Sequence, residues 1–389
     1  MTTQLPLHAD LSLPPTAGKT GKKKRVDNRK RRKRSSVAQE ARQAEYEKKG
    51  GVRDRCREKV KNNTLYVHIP IPFPTHFLPF TKDRQLVHKF SAAENWPDIH
   101  DLPDVTTNDR LNVFIRTNSP TCEQMKLMGP GQTGQWMLRK DWTHPEQLHA
   151  LKTDGVPKYL AMRFAEVFSK KTSAKLLSLW HAALAAGVVF GETEVQRSKS
   201  PALHLAIWGL SRAEPGVTAD SMQLKAVNPA AAAAALDRLL GVVKREIVPV
   251  MKRLMHEHNR EAERVNKLIH ARVRHVLASI LEQRPNLDLG GLFFTIAVKA
   301  GSSEVVHVDW NDNLHKFALI FCVGSFEGGE VCLPQLGRRI PLPPGSVLAL
   351  RTRLLAHAAI VGDGYRLVFT CFTDSLLLEQ TIAGDFGYL

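Results

Sequence analysis

Cysteine is scarce in this chain: five among 389 residues, at positions 56, 122, 322, 332 and 371. The number is odd and no C-x-x-C pair occurs, which argues against a disulfide framework and against a zinc finger. A reducing compartment is the expectation. Long apolar runs are missing too. No stretch reaches the ~18 apolar residues of a membrane span, so no membrane partner is expected. The first twenty positions lack the charged-then-apolar order of a signal peptide, which predicts a soluble chain that is not secreted. Acidic residues are in deficit, 38 against 55 Lys and Arg, for a net charge of +17. Apolar residues are not: at 43 % they suffice for a proper core, as one large domain or two ordinary ones.

The excess positive charge is concentrated at one end. Residues 1–61 hold 19 basic and 7 acidic side chains, so they carry +12 of the net +17. The densest part runs from Lys22 to Arg34 as two basic clusters separated by Val26-Asp27-Asn28. Like charges at this density repel and deny the segment a core, so a disordered tail is expected. A solvated tail is the plain reading. The sharper one is a nuclear import signal that engages the import machinery and contacts phosphates, placing the chain in the nucleus. DNA contact through such a tail is sequence-blind and weakened by salt. Residues 37–60 alternate in charge and read as a solvated helix.

Chemistry gathers at His307-Val308-Asp309-Trp310. On an extended chain alternate side chains share a face, so His307 and Asp309 project to the same side, about 7 Å apart along the backbone. Together they can grip one metal ion. A third ligand comes from elsewhere, and His357, in the apolar run Leu354 to Ile360, is the candidate. Two imidazoles and one carboxylate on one face of an octahedron leave positions open, the ligand set of non-haem Fe(II) oxygenases. Arg366 follows nine residues later, and its guanidinium can hold a carboxylate such as that of 2-oxoglutarate in a two-pronged pair. A lone H-x-D is common, and a lone His on an apolar strand usually belongs to the core.

The setting raises the specificity. Between Gly290 and Leu378 the chain breaks into eight short runs: Gly291 to Lys299, Ser303 to Trp310, His315 to Val323, Gly329 to Leu333, Arg338 to Leu342, Ser346 to Arg351, Leu354 to Val361 and Tyr365 to Thr373. Gly324, Gly328-Gly329, Gly337, Pro343-Pro344-Gly345 and Gly362-Asp363-Gly364 punctuate them. Eight closely spaced strands predict a sandwich or jelly roll whose mouth can collect all four residues.

Here the segment resembles a known family. The H-x-D, the Gly-Ser-Phe-Glu-Gly-Gly-Glu turn at 324–330, Pro-Pro-Gly-Ser at 343–346, Leu-Ala-His at 355–357 and Gly-Tyr-Arg at 364–366 are similar to the core of Fe(II)/2-oxoglutarate dioxygenases. Within them the layout is most similar to the TET/JBP branch, especially the compact TET-like enzymes of basidiomycete fungi, which oxidise methylated bases in DNA. The resemblance implies an α+β fold with a double-stranded β-helix (jelly-roll) core and flanking helices. It implies His307, Asp309 and His357 as iron ligands and Arg366 as partner of the distal 2-oxoglutarate carboxylate. Asn311 and Asp312 become candidate substrate-binding residues. The implied partner is double-stranded methylated DNA with the target base flipped out, bearing 5-methylcytosine or N6-methyladenine. A dioxygenase acting on a protein side chain and a non-catalytic DNA-binding module are the competing readings. The cysteine-rich zinc region of animal TET enzymes has no counterpart here. A monomer is expected.

Upstream, domain limits follow composition: a tail over 1–61, then a dioxygenase domain over 62–389 with a mixed region at 62–285 and the core at 290–378. Leu65 to Pro74 is extended, because each proline disfavours helix in the residue before it. Leu111 to Arg116 reads as a strand and Gly129 to Gly134 as a turn. Helices are predicted near 145–152 and 157–186. Leu203 to Gly209 reads as a buried strand with His204 a core residue. Asn228-Pro229 caps and opens a long helix that Pro249 should kink near Val248. His256 and His258 point about 200° apart on that helix and cannot share an ion. The basic face of Arg260, Arg264, Lys267, Arg272 and Arg274 reads as solvated, with DNA contact the less favoured role.

Overall fold

Among the described residues the larger of two sheets has nine strands. A computed structural model describes residues 63–72, 96–118, 159–192, 198–209, 214–309, 311–313 and 316–383. The basic tail, the 129–134 turn, the 145–152 helix and Trp310 lie outside the described residues. In chain order the strands are β1 (Thr64–Pro72), β2 (Asn112–Asn118), β3 (Ala161–Phe164), β4 (Leu203–Trp208), β5 (Gly216–Val217) and β6 (Thr295–Ala300). The remaining six are β7 (Ala318–Glu327), β8 (Val331–Leu333), β9 (Arg338–Ile340), β10 (Val347–Leu350), β11 (Ala358–Ala359) and β12 (Asp363–Phe372). The nine lie in the order β1-β2-β3-β10-β7-β12-β6-β4-β5, and the smaller sheet is β11-β8-β9.

Seven of the eight sequence runs divide between the two sheets. In the larger sheet the first, eighth, third and sixth runs are neighbours, as β6, β12, β7 and β10. In the smaller sheet the seventh, fourth and fifth are neighbours, and the second joins through a single His307–His357 bridge. Two facing sheets with this interleaving make the double-stranded β-helix of a jelly roll. The fold class is α+β, with helices packed on one face of the larger sheet.

Period-two alternation decides what each strand sends where. Along β7, Leu319, Phe321 and Val323 join the core under the helices, whereas Ile320 and Cys322 face the smaller sheet. Along β12, Leu367, Phe369 and Cys371 likewise face the helices. Phe321 and Phe369 stand opposite in register and stack with centroids 4.7 Å apart. The alternate set on β12, Arg366, Val368, Thr370 and Phe372, turns toward the space between the sheets.

The outer layer is formed by α1 (Lys170–Ala185), α2 (Ala219–Met222), α3 (Pro229–Val242), α4 (Val248–His258) and α5 (Arg260–Val276), with α6 (Ala278–Gln283) and α7 (Ser375–Ala383) after them. Asn228 caps α3 by accepting from the Ala231 N–H, as its sequence predicts. Pro249 removes a backbone donor, and the helix passes through a π turn at Val243–Ile247 before α4 begins at Val248.

Three expectations need correction. The 157–186 stretch is not one helix. Its first part is β3, buried throughout between β2 and β10, and Ser169 starts the helix by accepting from Thr172 N. Sheet partners there outweigh helix propensity. The second run, around His307, is extended chain with one bridge rather than a strand, because the chain turns back at Asp309, whose carbonyl accepts from Asp312 N. His204 is not a sealed core residue: it is half-buried and its ring faces a cavity. His256 and His258 do have separate surroundings, Glu263 at 2.7 Å and the rings of Phe114 and Phe164. On the basic face, Lys267, Arg272 and Arg274 each meet a carboxylate, on Glu263, Glu214 and Asp288.

Candidate metal and co-substrate site

The single bridge does the decisive positioning. His307 N–H donates to the His357 carbonyl at 3.0 Å and His357 N–H returns the bond at 2.9 Å. Residues that exchange both bonds are directly opposite, so the imidazoles meet with ring centroids 4.4 Å apart. Asp309, two residues on, is anchored by its N–H to the Thr352 carbonyl and points to the same side. Its carboxylate lies between the rings, Oδ1 at 3.7 Å from His307 Nε2 and Oδ2 at 3.5 Å from His357 Nε2. One ligating atom from each of the three lies within 4.8 Å of the others, and all three residues are buried.

Tautomers follow from the backbone. The Nδ1 atoms of His307 and His357 lie 2.7 and 2.9 Å from the carbonyls of Val305 and Leu355. A carbonyl only accepts, so each Nδ1 carries the proton and each Nε2 presents its lone pair to the shared point. Ligating histidines are oriented by this second-side bond. Two neutral nitrogens and one carboxylate suit a divalent first-row metal.

Arg366 enters the same cavity from β12. It is buried, with Nη1 donating to Ser302 Oγ at 2.9 Å, Nε to Cys322 Sγ at 3.3 Å, and the guanidinium 5.3 Å from the Phe326 ring centre. No carboxylate among the described residues pairs with it. A buried cation without an anion is costly, so a site built around one calls for an anionic ligand. The cavity measures about 250 Å³ and holds both the triad and Arg366.

The site fits Fe(II) and 2-oxoglutarate.

Gly329 makes room for this arrangement. Its φ is +76°, and a Cβ there would stand 2.7 Å from Arg366 Nη1. Gly329→Ala is therefore expected to displace the guanidinium and to add roughly 1–2 kcal/mol of backbone strain. Weaker 2-oxoglutarate binding in titration calorimetry together with a lower Tm checks both effects.

Asn311 is exposed at the cavity wall. Asp312 is buried in that wall, and its Oδ2 accepts from Thr352 Oγ1 at 2.6 Å. Further cavity residues were not among the site residues expected from the sequence, Lys299, Ser302, His204, Trp208 and Phe372 among them. Lys299 had a signal, a charge in the apolar strand Thr-Ile-Ala-Val-Lys-Ala. The others had none. His204 stacks on Trp208 at 5.6 Å and meets Phe372 edge-on. Its backbone N–H donates to Asp220, whose carboxyl burial holds above the usual range. Asp374 also lines the cavity, yet its oxygens accept from the N–H groups of Gly209 and Leu377. Among the described residues the cysteines, Cys322, Cys332 and Cys371, form no disulfide, and burial raises all three thiol pKa values, that of Cys332 to about 12.

No family model and no curated protein matches the chain. Solved structures do. NgTET1 in complex with 5mC DNA is similar over 83 % of this chain and 88 % of that one, at 13 % identity and TM-score 0.44. The viral collagen prolyl hydroxylase of Paramecium Bursaria Chlorella virus-1, in its 2OG complex, is similar over 55 % and 94 %, at 11 % identity and TM-score 0.29. A 2OG-Fe(II) oxygenase family protein from Burkholderia pseudomallei covers 55 % and 84 %, at 13 % identity and TM-score 0.29.

Proposed function

We propose that this chain is an Fe(II)- and 2-oxoglutarate-dependent dioxygenase that oxidises the methyl group of a methylated base in DNA. One observation carries the reading: a His-Asp-His cluster and a buried guanidinium with no carboxylate partner among the described residues open into the same cavity. When bound, the metal and co-substrate supply the oxidising power. The chain supplies placement. His307, Asp309 and His357 fix one end, Arg366 fixes the distal carboxylate, and Ile320, Val331 and Val368 give the cavity apolar walls that exclude water.

The substrate class draws on the sequence resemblance and on the far wall. His204, Trp208 and Phe372 present aromatic surface there, suited to a flat base. A duplex hides its methyl groups from a closed cavity, so the target nucleotide is flipped out. Asn311, exposed, and Asp312 stand beside the ligands to meet its edge. Nucleoside mass spectrometry after incubating methylated duplex DNA with protein, Fe(II) and 2-oxoglutarate is expected to show the hydroxymethyl base of 5-methylcytosine. An oxidised N6-methyladenine would move the preference to adenine. Succinate release with no altered nucleoside would sink the DNA reading and favour a protein side chain.

The proposed compartment is the nucleus, on the strength of the two basic clusters, and the proposed working form is a monomer, which light scattering tests. Deleting residues 1–36 is expected to lower the nuclear fraction of a tagged chain more than its activity on short DNA. An unchanged nuclear fraction would remove the import role.

A further inference from the structure

We propose that Lys299 is a second cation of the co-substrate site, holding the distal carboxylate of 2-oxoglutarate together with Arg366. The inference rests on the dioxygenase reading and adds a residue that no part of that reading assigns.

Strand geometry places the two cations together. On β6, Ile296 and Val298 face the helices, so Ala297 and Lys299 face the cavity. Lys299 pairs in register with Val368 of β12. Arg366 is two residues from Val368 on the same face, which makes it the diagonal neighbour of Lys299, about 7–8 Å away between backbones and within reach of long side chains.

Both side chains then close on Ser302. Arg366 Nη1 donates to its hydroxyl at 2.9 Å, and Lys299 Nζ donates to its carbonyl and to Ser198 Oγ, with Ser303 Oγ at 3.4 Å. Lys299 and Arg366 are 6 % and 5 % exposed. Among the described residues Glu304 is the carboxylate whose field reaches Lys299, and it is itself held by Ser198 Oγ and the Lys199 N–H. At this end of the cavity, among the described residues, no carboxylate pairs with Arg366 and Glu304 alone acts on Lys299. A carboxylate delivered between Lys299 and Arg366 gives the two buried cations a shared counter-ion. Burial pulls the Lys299 pKa down to about 8, with Glu304 opposing the shift and Arg366 adding to it.

The competing role is mechanical, with Lys299 knitting the 198–200 segment to the 302–304 turn. A charge-specific measurement separates the two. Full-length protein loaded with Mn(II) without oxygen is titrated calorimetrically with 2-oxoglutarate and with 2-oxopentanoate, which has the same 2-oxo acid head but a methyl at the far end. Lys299→Met is expected to weaken 2-oxoglutarate at least about tenfold and to leave 2-oxopentanoate within about twofold, the worth of one charged hydrogen bond. Lys299→Arg should keep most of the preference. Equal losses for both acids, or no loss for either, would overturn the proposal.

If Lys299→Met fails to fold, reductive methylation of the unaltered protein gives the answer. Mn(II) with 2-oxoglutarate should protect Lys299, read in its peptide mass, and Mn(II) with 2-oxopentanoate should not. Equal labelling would overturn the role. Unaltered protein that binds 2-oxoglutarate no better than 2-oxopentanoate would overturn the co-substrate reading as well, so the two failures are distinguishable.

Discussion

Replacing His307 by alanine is expected to abolish 2-oxoglutarate turnover and to leave the fold intact. The two halves of this result have separate causes. The bridge between His307 and His357 is made by backbone N–H and carbonyl groups, so removing an imidazole does not unmake it. Circular dichroism should be unchanged. The metal loses one of three protein ligands, and the loss should exceed the roughly 10–100-fold that removal of an outer partner costs in metal affinity. Metal titration and succinate release check it. Turnover retained by the alanine variant would mean that His307 is a core histidine after all. His357→Ala should behave alike, since both rings point Nε2 at the Asp309 carboxylate from similar distances.

Arg366→Met should remove co-substrate affinity without loss of stability. The buried guanidinium is held by a hydroxyl, a thiol and an aromatic face. Removing the cationic partner of a buried charge pair costs about 2–5 kcal/mol of binding, which corresponds to roughly 30-fold or more in the affinity for 2-oxoglutarate. The same change relieves the protein of a desolvated charge, so Tm should hold or rise. The paired outcome is diagnostic. A structural arginine would show the reverse, with a lower Tm and unaltered binding. Arg366→Lys should not rescue fully, because an ammonium lacks the planar fork that meets a carboxylate with two parallel bonds.

The candidate site was legible in the sequence to an unusual depth, for a physical reason. His307 and Asp309 are close in the chain, and the extended period places them on one face without reference to anything distant. Turn glycines and prolines are equally local, which is why seven of the eight predicted runs coincide with strands. The exception, the run around His307, is shaped by hydrogen bonds from far away: Asn313 N–H reaches the Thr373 carbonyl and Ser375 N–H the Asn311 carbonyl. These ties bend the chain out of the sheet after Asp309. No local pattern encodes them.

Helix 157–186 failed for a related reason. Residues 161–164 have the apolar character of a helix face, yet Arg163 sits opposite Leu348 in a sheet assembled from segments far apart in the chain. Its two Nη atoms donate there to the carbonyls of Asn108, Leu111 and Pro341, partners from two distant loops. His204 was misjudged likewise, since its strand is apolar but the cavity beside it is made by other segments.

By itself, then, the order of residues determined the His307–Asp309 pair, the turns between runs and the cap that starts α3, because each is a matter of neighbours in the chain or of a two-residue period. His357 and Arg366 were candidates whose meeting with that pair rests on the bridge and on strand pairing. Tertiary structure alone decided which strands lie side by side, and with that the insertion of β3, the aromatic far wall and the meeting of Lys299 with Arg366 at Ser302. A strand's period says which side chains share a face; only pairing across long loops says what that face will meet.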